Sequence, residues 1–149
     1  MFKVIASVLG IGYVKGGGTV AAMVCCLALY LTRASGVSQH LGPAGLLTVG
    51  LLALGTLAAQ RVEPRWGKDS SRVVIDEVAG MWISMLFVPL TEPYLLAGFV
   101  LFRFFDIVKP FFIRDMEKLP GGVGVMMDDV LAGLYANLLL QAAIRVNLF

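Results

Sequence analysis

Apolar residues run along this chain in five stretches, separated by clusters of glycine, proline and charge. They extend from about Thr19 to Leu31, Pro43 to Gln60, Val73 to Leu90, Tyr94 to Val108 and Gly124 to Ile144. Each is of helical length and too long for a strand. Pro43 suits a helix start, where the first N–H has no partner within the helix. No repeat, low-complexity tract or linker divides the chain, so residues 1–149 read as one all-α domain.

Composition turns this helical reading toward a membrane. Of the 149 residues 58% are apolar and 15% charged, with 17 glycines besides; soluble domains carry about 25% charge. The mean hydropathy is +0.85. A disordered chain is excluded, and a multi-span bundle of about five apolar helices becomes the default. A compact soluble bundle competes, because the third stretch is free of charge only from Val78 to Leu90 and a transmembrane helix wants about 20 apolar residues. Met1 to Gly12 carries no signal-peptide cleavage pattern. The net charge of +2 is too weak to imply a nucleic-acid partner.

The placement of basic residues favours the membrane. Cytoplasmic loops are enriched in Lys and Arg. Lys3 and Lys15 precede the first stretch; Arg61, Arg65, Lys68 and Arg72 follow the second; Lys109, Arg114 and Lys118 follow the fourth. The opposite side has Arg33 and Arg145. Five spans follow, with the N-terminus in the cytoplasm and the C-terminus outside.

The acids then fall into a pattern. Asp76 and Glu77, Asp106, and Asp128 and Asp129 come from three different stretches, and the topology brings all five to the cytoplasmic ends. Ionisable groups at membrane depth are costly and point to function. Converging carboxylates repel unless a cation neutralises them, and clustered oxygens suit Mg²⁺. First-turn acids also stabilise helices through the dipole, which accounts singly for every one except Asp106, in a last turn. Two glycine turns, Gly16-Gly17-Gly18-Thr19 and Gly121-Gly122-Val123-Gly124, reach the same side. Freed N–H groups there can bind phosphate, as can Arg103, Lys109 and Arg114; plain turns, and an ion pair within a helix for Arg103 with Asp106, are the simpler readings. Lys15 is a further candidate. Cys25 and Cys26 read as buried small residues, His40 as a loop residue, and the phenylalanines as packing or interface anchors.

Phosphate, a divalent ion and a membrane together point to phosphoryl transfer or hydrolysis on a lipid. A phosphohistidine route lacks a histidine near the acids, a Cys-x5-Arg loop is missing, and a Walker loop lacks its lysine at Gly18-Thr19. Metal-assisted attack by water, or transient attack by an aspartate, remains.

Three segments now carry a resemblance. Val73-Val74-Ile75-Asp76-Glu77-Val78-Ala79-Gly80-Met81-Trp82, Phe102-Arg103-Phe104-Phe105-Asp106-Ile107-Val108-Lys109-Pro110 with Ile113-Arg114, and Gly121-Gly122-Val123-Gly124-Val125-Met126-Met127-Asp128-Asp129-Val130-Leu131-Ala132-Gly133 resemble, in order, the motifs of the phosphatidylglycerophosphatase A family. The resemblance implies a Mg²⁺-dependent hydrolase of the terminal phosphate of phosphatidylglycerophosphate, on the cytoplasmic face of a bacterial inner membrane. It implies that Asp76, Glu77, Asp106, Asp128 and Asp129 hold metal, with Asp76, Glu77 and Asp129 catalytic. Gly18, Thr19, Arg103, Lys109, Arg114, Gly121 and Gly122 would hold phosphate, and Asp69 matches an acid preceding the central motif. The chain departs at Gly17-Gly18-Thr19, where the family has Pro-Gly-Thr, and at Phe112, where it has a second proline. The alternatives are a membrane ion or proton carrier using the helix-end carboxylates, and a phosphatidyltransferase, whose Asp-Gly-x2-Ala-Arg signature is missing. The oligomeric state is left open.

Overall fold

A computed structural model describes residues 1–68 and 70–148. Among them the regular structure is entirely helical: α1 (Phe2–Ala6), α2 (Gly17–Leu31), α3 (Leu41–Trp66), α4 (Ile75–Ser84), α5 (Glu92–Val108), α6 (Ile113–Met116) and α7 (Gly121–Arg145), with short 3-10 turns at Ile11–Tyr13 and Arg33–Ser35. The first, fourth and fifth apolar stretches become α2, α5 and α7 almost as expected. α1 and α6, too short to show a period, are additions.

Two expectations change. The second stretch does not stop at its first charges: α3 continues through Arg61 and Arg65, with Pro64 in its last turn. Gly67 ends it at φ +88°, its N–H bonded to Glu63 O at 2.8 Å. The third stretch is not one helix. α4 has 10 residues, about 15 Å against a hydrocarbon core of about 30 Å. Beyond Ser84 the chain turns, with Phe87 at φ +59°. A helix end away from water must find donors for its last carbonyls, and α7 supplies them. Asn137 Nδ2 donates to Ser84 O (3.0 Å) and Leu86 O (2.8 Å), and Gln141 Nε2 to Leu86 O (3.3 Å) and Phe87 O (3.2 Å). Gln39 Nε2 donates to Val88 O at 2.5 Å, and Phe87 N–H to Ser38 O at 3.0 Å.

α4 is the centre of the bundle. Its buried residues include Ile75, Asp76, Ala79, Gly80, Met81, Trp82, Ile83 and Ser84, and it packs against α2, α3, α5 and α7. Its tightest partner is α7. A Cβ on Gly133 would come within 2.3 Å of Gly80 O, and one on Gly80 within 2.7 Å of Asp129 O. Only hydrogens fit at that crossing, so the two backbones touch there. Close approach through small residues is how helices associate where lipid removes the hydrophobic drive.

Two helices, α3 and α7, are long and apolar enough to cross a membrane. Only 17% of the most apolar window of α3 is buried, and Leu46, Val49, Leu54 and Leu57 lie exposed along it. A soluble core helix would bury such a surface, so α3 reads as a lipid-facing helix.

Gly133→Ala is expected to lower thermal stability in detergent by about 1–3 kcal/mol, the range for overpacking a tight contact. Gly45→Ala, in α3 with nothing near its Cβ position, should leave stability unchanged or raise it by up to about 1 kcal/mol.

Candidate metal and phosphate site

The crossing fixes where the acids meet. Glu77 lies one turn before Gly80 on α4, and Asp129 one turn before Gly133 on α7. The carboxylates of Asp76, Glu77 and Asp129 each place an oxygen within 4.8 Å of the others. Asp76 and Asp129 are buried and Glu77 partly so. Asp106 comes from the last turn of α5, beside Glu77 and Asp129, and its charge is taken up by an ion pair with Arg103. Among the described residues, two buried side-chain polar atoms have no hydrogen-bond partner, Glu77 Oε2 and Arg103 Nε. Such orphans are rare unless a ligand or water completes them.

This acid cluster fits a hard divalent cation. Its donors are carboxylate oxygens alone, three can converge, and one carries an orphaned oxygen. Mg²⁺ takes one or two carboxylates together with substrate phosphate.

Above Glu77 opens a cavity of about 560 Å³. Its wall runs through Gly12, Tyr13, Val14 and Lys15 into the start of α2 at Gly16, Gly17, Gly18 and Thr19; Ser71, Arg72, Glu77 and Arg103 complete it. Two glycines let these segments close up. A Cβ on Gly12 would lie 2.0 Å from Arg72 O, and one on Gly18 would lie 2.0 Å from Glu77 Oε1. The N-terminal N–H groups of α2 therefore face the acid cluster across Gly18. Three cations, Lys15, Arg72 and Arg103, line the same space. Helix N–H groups, guanidinium forks and an ammonium together make a phosphate-binding wall.

The expected residues divide on this geometry. Gly18, Thr19, Lys15 and Arg103 line the cavity with Glu77. Asp76 and Asp129 stand beneath it with Glu77. Asp128 stands close enough to Asp76 for their charges to interact, and it is also bridged: Lys109 Nζ donates to it at 2.7 Å and to Glu117 at 2.5 Å. Lys109 ends α5 in the left-handed conformation at φ +49°, just before Pro110, and this aims its side chain toward α7. Burial works against its ammonium, but the hydrogen bonds to Asp128 and Glu117 outweigh it and raise its pKa above the ordinary lysine value. Lys109 therefore joins α5, α6 and α7 rather than lining the cavity. The second glycine turn is also spent on packing. A Cβ on Gly122 would lie 2.2 Å from Thr56 O, so Gly121 and Gly122 seat α7 on α3. Arg114 is exposed on α6. Asp69 lies outside the described residues. Arg72 and Ser71 line the cavity without having been expected there. Arg72 lies just before α4, and its only signal in the sequence is its place among the loop cations.

Comparison with known proteins agrees with this geometry. The sequence profile of the family described as Phosphatidylglycerophosphatase A matches residues 4–144. The chain belongs to the phosphatidylglycerophosphatase A family. A Bacteroides thetaiotaomicron protein named "Putative phosphatidylinositol-3-phosphatase" is 45% identical over 129 residues, 85% of this chain and 80% of that protein. A Haemophilus influenzae protein named Phosphatidylglycerophosphatase A is 42% identical over 100 residues, 65% of this chain and 61% of that one. An Escherichia coli protein of the same name is 41% identical over 68 residues, covering 44% and 40%. No solved structure matches the chain significantly.

Lys109→Met is expected to lower the thermal midpoint, with a loss of about 1–2 kcal/mol, because it removes the ammonium that bridges Asp128 and Glu117. Lys109→Arg should restore part of the loss. An unchanged midpoint in Lys109→Met would mean the bridge holds nothing together.

Proposed function

We propose that this protein hydrolyses the terminal phosphate of phosphatidylglycerophosphate, releasing phosphatidylglycerol and inorganic phosphate. The observation that carries this reading is the placement of three converging carboxylates directly under a cavity walled by cations and the N-terminus of α2. Family membership supports the same substrate.

The phosphomonoester enters the cavity with its oxygens toward Lys15, Arg72, Arg103 and the N–H groups at Gly18 and Thr19. Arg103 is held in place by Asp106 at the cavity wall, so its guanidinium meets a bound phosphate with little further loss of side-chain freedom. Mg²⁺, bound by Asp76, Glu77 and Asp129, would neutralise the clustered charge and polarise the phosphoryl group. A water attacks phosphorus while the P–O bond to glycerol breaks. An acid of the cluster accepts the water's proton and passes it on to the departing glycerol oxygen, so the acid ends as it began. Asp129 is our choice for the proton acceptor, since it faces the cluster from the opposite helix.

In this reading the bundle is embedded in a bacterial inner membrane with its site at the cytoplasmic face. The five apolar stretches cross it, N-terminus inside and C-terminus outside. α4 reaches only partway, and the capped turn after Ser84 continues the crossing. The basic residues flanking the cavity supply the cytoplasmic positive charge.

A second lipid headgroup has support from one comparison, the Bacteroides relative named for phosphatidylinositol 3-phosphate. The same wall would recognise any lipid phosphomonoester. An ion or proton carrier finds less support, because Asp76 and Glu77 lie in the first turn of α4 and Asp106 in the last turn of α5, with no series of acids along either helix.

The test is phosphate release from phosphatidylglycerophosphate, phosphatidylinositol 3-phosphate and phosphatidic acid, with Mg²⁺ or EDTA. Release should be fastest from phosphatidylglycerophosphate and lost in EDTA. Asp129→Asn should lower kcat by at least about 100-fold. Full activity in EDTA, or an active Asp129→Asn protein, would sink the reading.

A further inference from the structure

The two helices that frame the phosphate cavity also frame a second, apolar space. It has a volume of about 560 Å³ and is lined by Met23, Cys26, Leu27 and Tyr30 of α2 and by Glu92, Leu95, Leu96 and Phe99 of α5. The proposed hydrolysis leaves it unused.

Its position follows from helical spacing. On α2, Thr19 lines the phosphate cavity, and Met23, Leu27 and Tyr30 follow at i+4, i+8 and i+11, one face of a helix. On α5 the same series runs the other way. Arg103 lines the cavity, and Phe99, Leu95 and Glu92 precede it at i−4, i−8 and i−11. Two facing stripes thus begin in cationic and N–H groups and turn apolar within one turn. They end where Tyr30 Oη donates to Glu92 Oε1 at 3.2 Å. From Thr19 to Tyr30 is about 16 Å at roughly 1.5 Å per residue. Met23, Leu27 and Leu96 are more than half exposed along it, so the furrow opens sideways toward the surrounding lipid.

We propose that this furrow between α2 and α5 holds one acyl chain of the phospholipid substrate while its phosphate occupies the cavity above. The inference rests on the lipid-phosphatase reading, and it commits to the substrate's own chain because the furrow lies on the same faces of α2 and α5 as the headgroup cavity, one helical turn further along each. The Tyr30–Glu92 bond closes its far end. A lipid drawn from the bilayer enters sideways and needs no exit into water.

Two measurements test it. In the first, kcat/KM is compared for long-chain phosphatidylglycerophosphate and for its deacylated headgroup, in the wild type and in Leu27→Trp, which fills the furrow. The long-chain to headgroup ratio should fall at least about tenfold in the variant. In the second, phosphatidylglycerophosphate with a diazirine at the end of one acyl chain is photolysed with the wild type in phosphatidylcholine vesicles. Adducts should concentrate on Met23, Leu27, Leu95 and Leu96 over the equally lipid-facing Leu46 and Val49 of α3. An unchanged ratio, or adducts spread evenly over α3 and the furrow, would overturn the proposal. Absence of phosphate release from both substrates in the wild type would instead defeat the hydrolysis reading, while the adduct map would still decide the furrow.

Discussion

The backbone contact between Gly80 and Gly133 is the constraint on which the rest depends. α4 and α7 touch there with nothing larger than hydrogen between them. One turn toward the N-terminus of each helix stand Glu77 and Asp129, so the same contact that joins the helices forces their acids together. Electrostatics opposes that approach. Packing at the glycines, with Asn137 and Gln141 holding the far end of α4, supplies the rigidity that keeps the carboxylates close. The short α4 follows from the same arrangement. A longer helix would have to displace the side chains that hold its carbonyls.

The acids divide into two kinds by what surrounds them. Asp128 shares Lys109 with Glu117 and ties α5, α6 and α7. Among the described residues no lysine ion pair reaches Asp76, Glu77 or Asp129. Arg103, whose charge acts on Glu77, is paired with Asp106 and lies on the cavity side. The neighbouring residues Asp128 and Asp129 therefore face opposite tasks, one closing a structural bridge and the other completing the cluster. Helical geometry produces this division, since consecutive residues point about 100° apart.

Much of this was legible in the sequence where the cause is local. The apolar runs fixed α2, α5 and α7 because each run is bounded by its own glycine, proline or charge. Charge placement along the runs led to an expected convergence of Asp76, Glu77, Asp106, Asp128 and Asp129, of which Asp76, Glu77 and Asp129 form the closest group. What escaped depends on partners distant in the chain. α4 ends at Ser84 because donors some 50 residues away receive its carbonyls, and no pattern within Val73 to Leu90 records that. Gly121 and Gly122 look like a second phosphate turn, yet the backbone of α3 at Thr56 occupies the space beside Gly122. Lys109 reads as a free cation until its left-handed backbone turns it onto Asp128. Arg72 was visible only as a topological charge, and Gly12 in contact with its carbonyl brings it to the cavity.

In the reading proposed above, the glycine crossing assembles a divalent-cation site from α4 and α7. Electron paramagnetic resonance of Mn²⁺, a spectroscopic stand-in for Mg²⁺, titrated into the purified protein in detergent tests it directly. One bound ion per chain is predicted for the wild type, displaced by Mg²⁺ and weakened by at least about tenfold when Glu77→Gln and Asp129→Asn are combined. Equal Mn²⁺ binding by the wild type and the doubly substituted protein would contradict it.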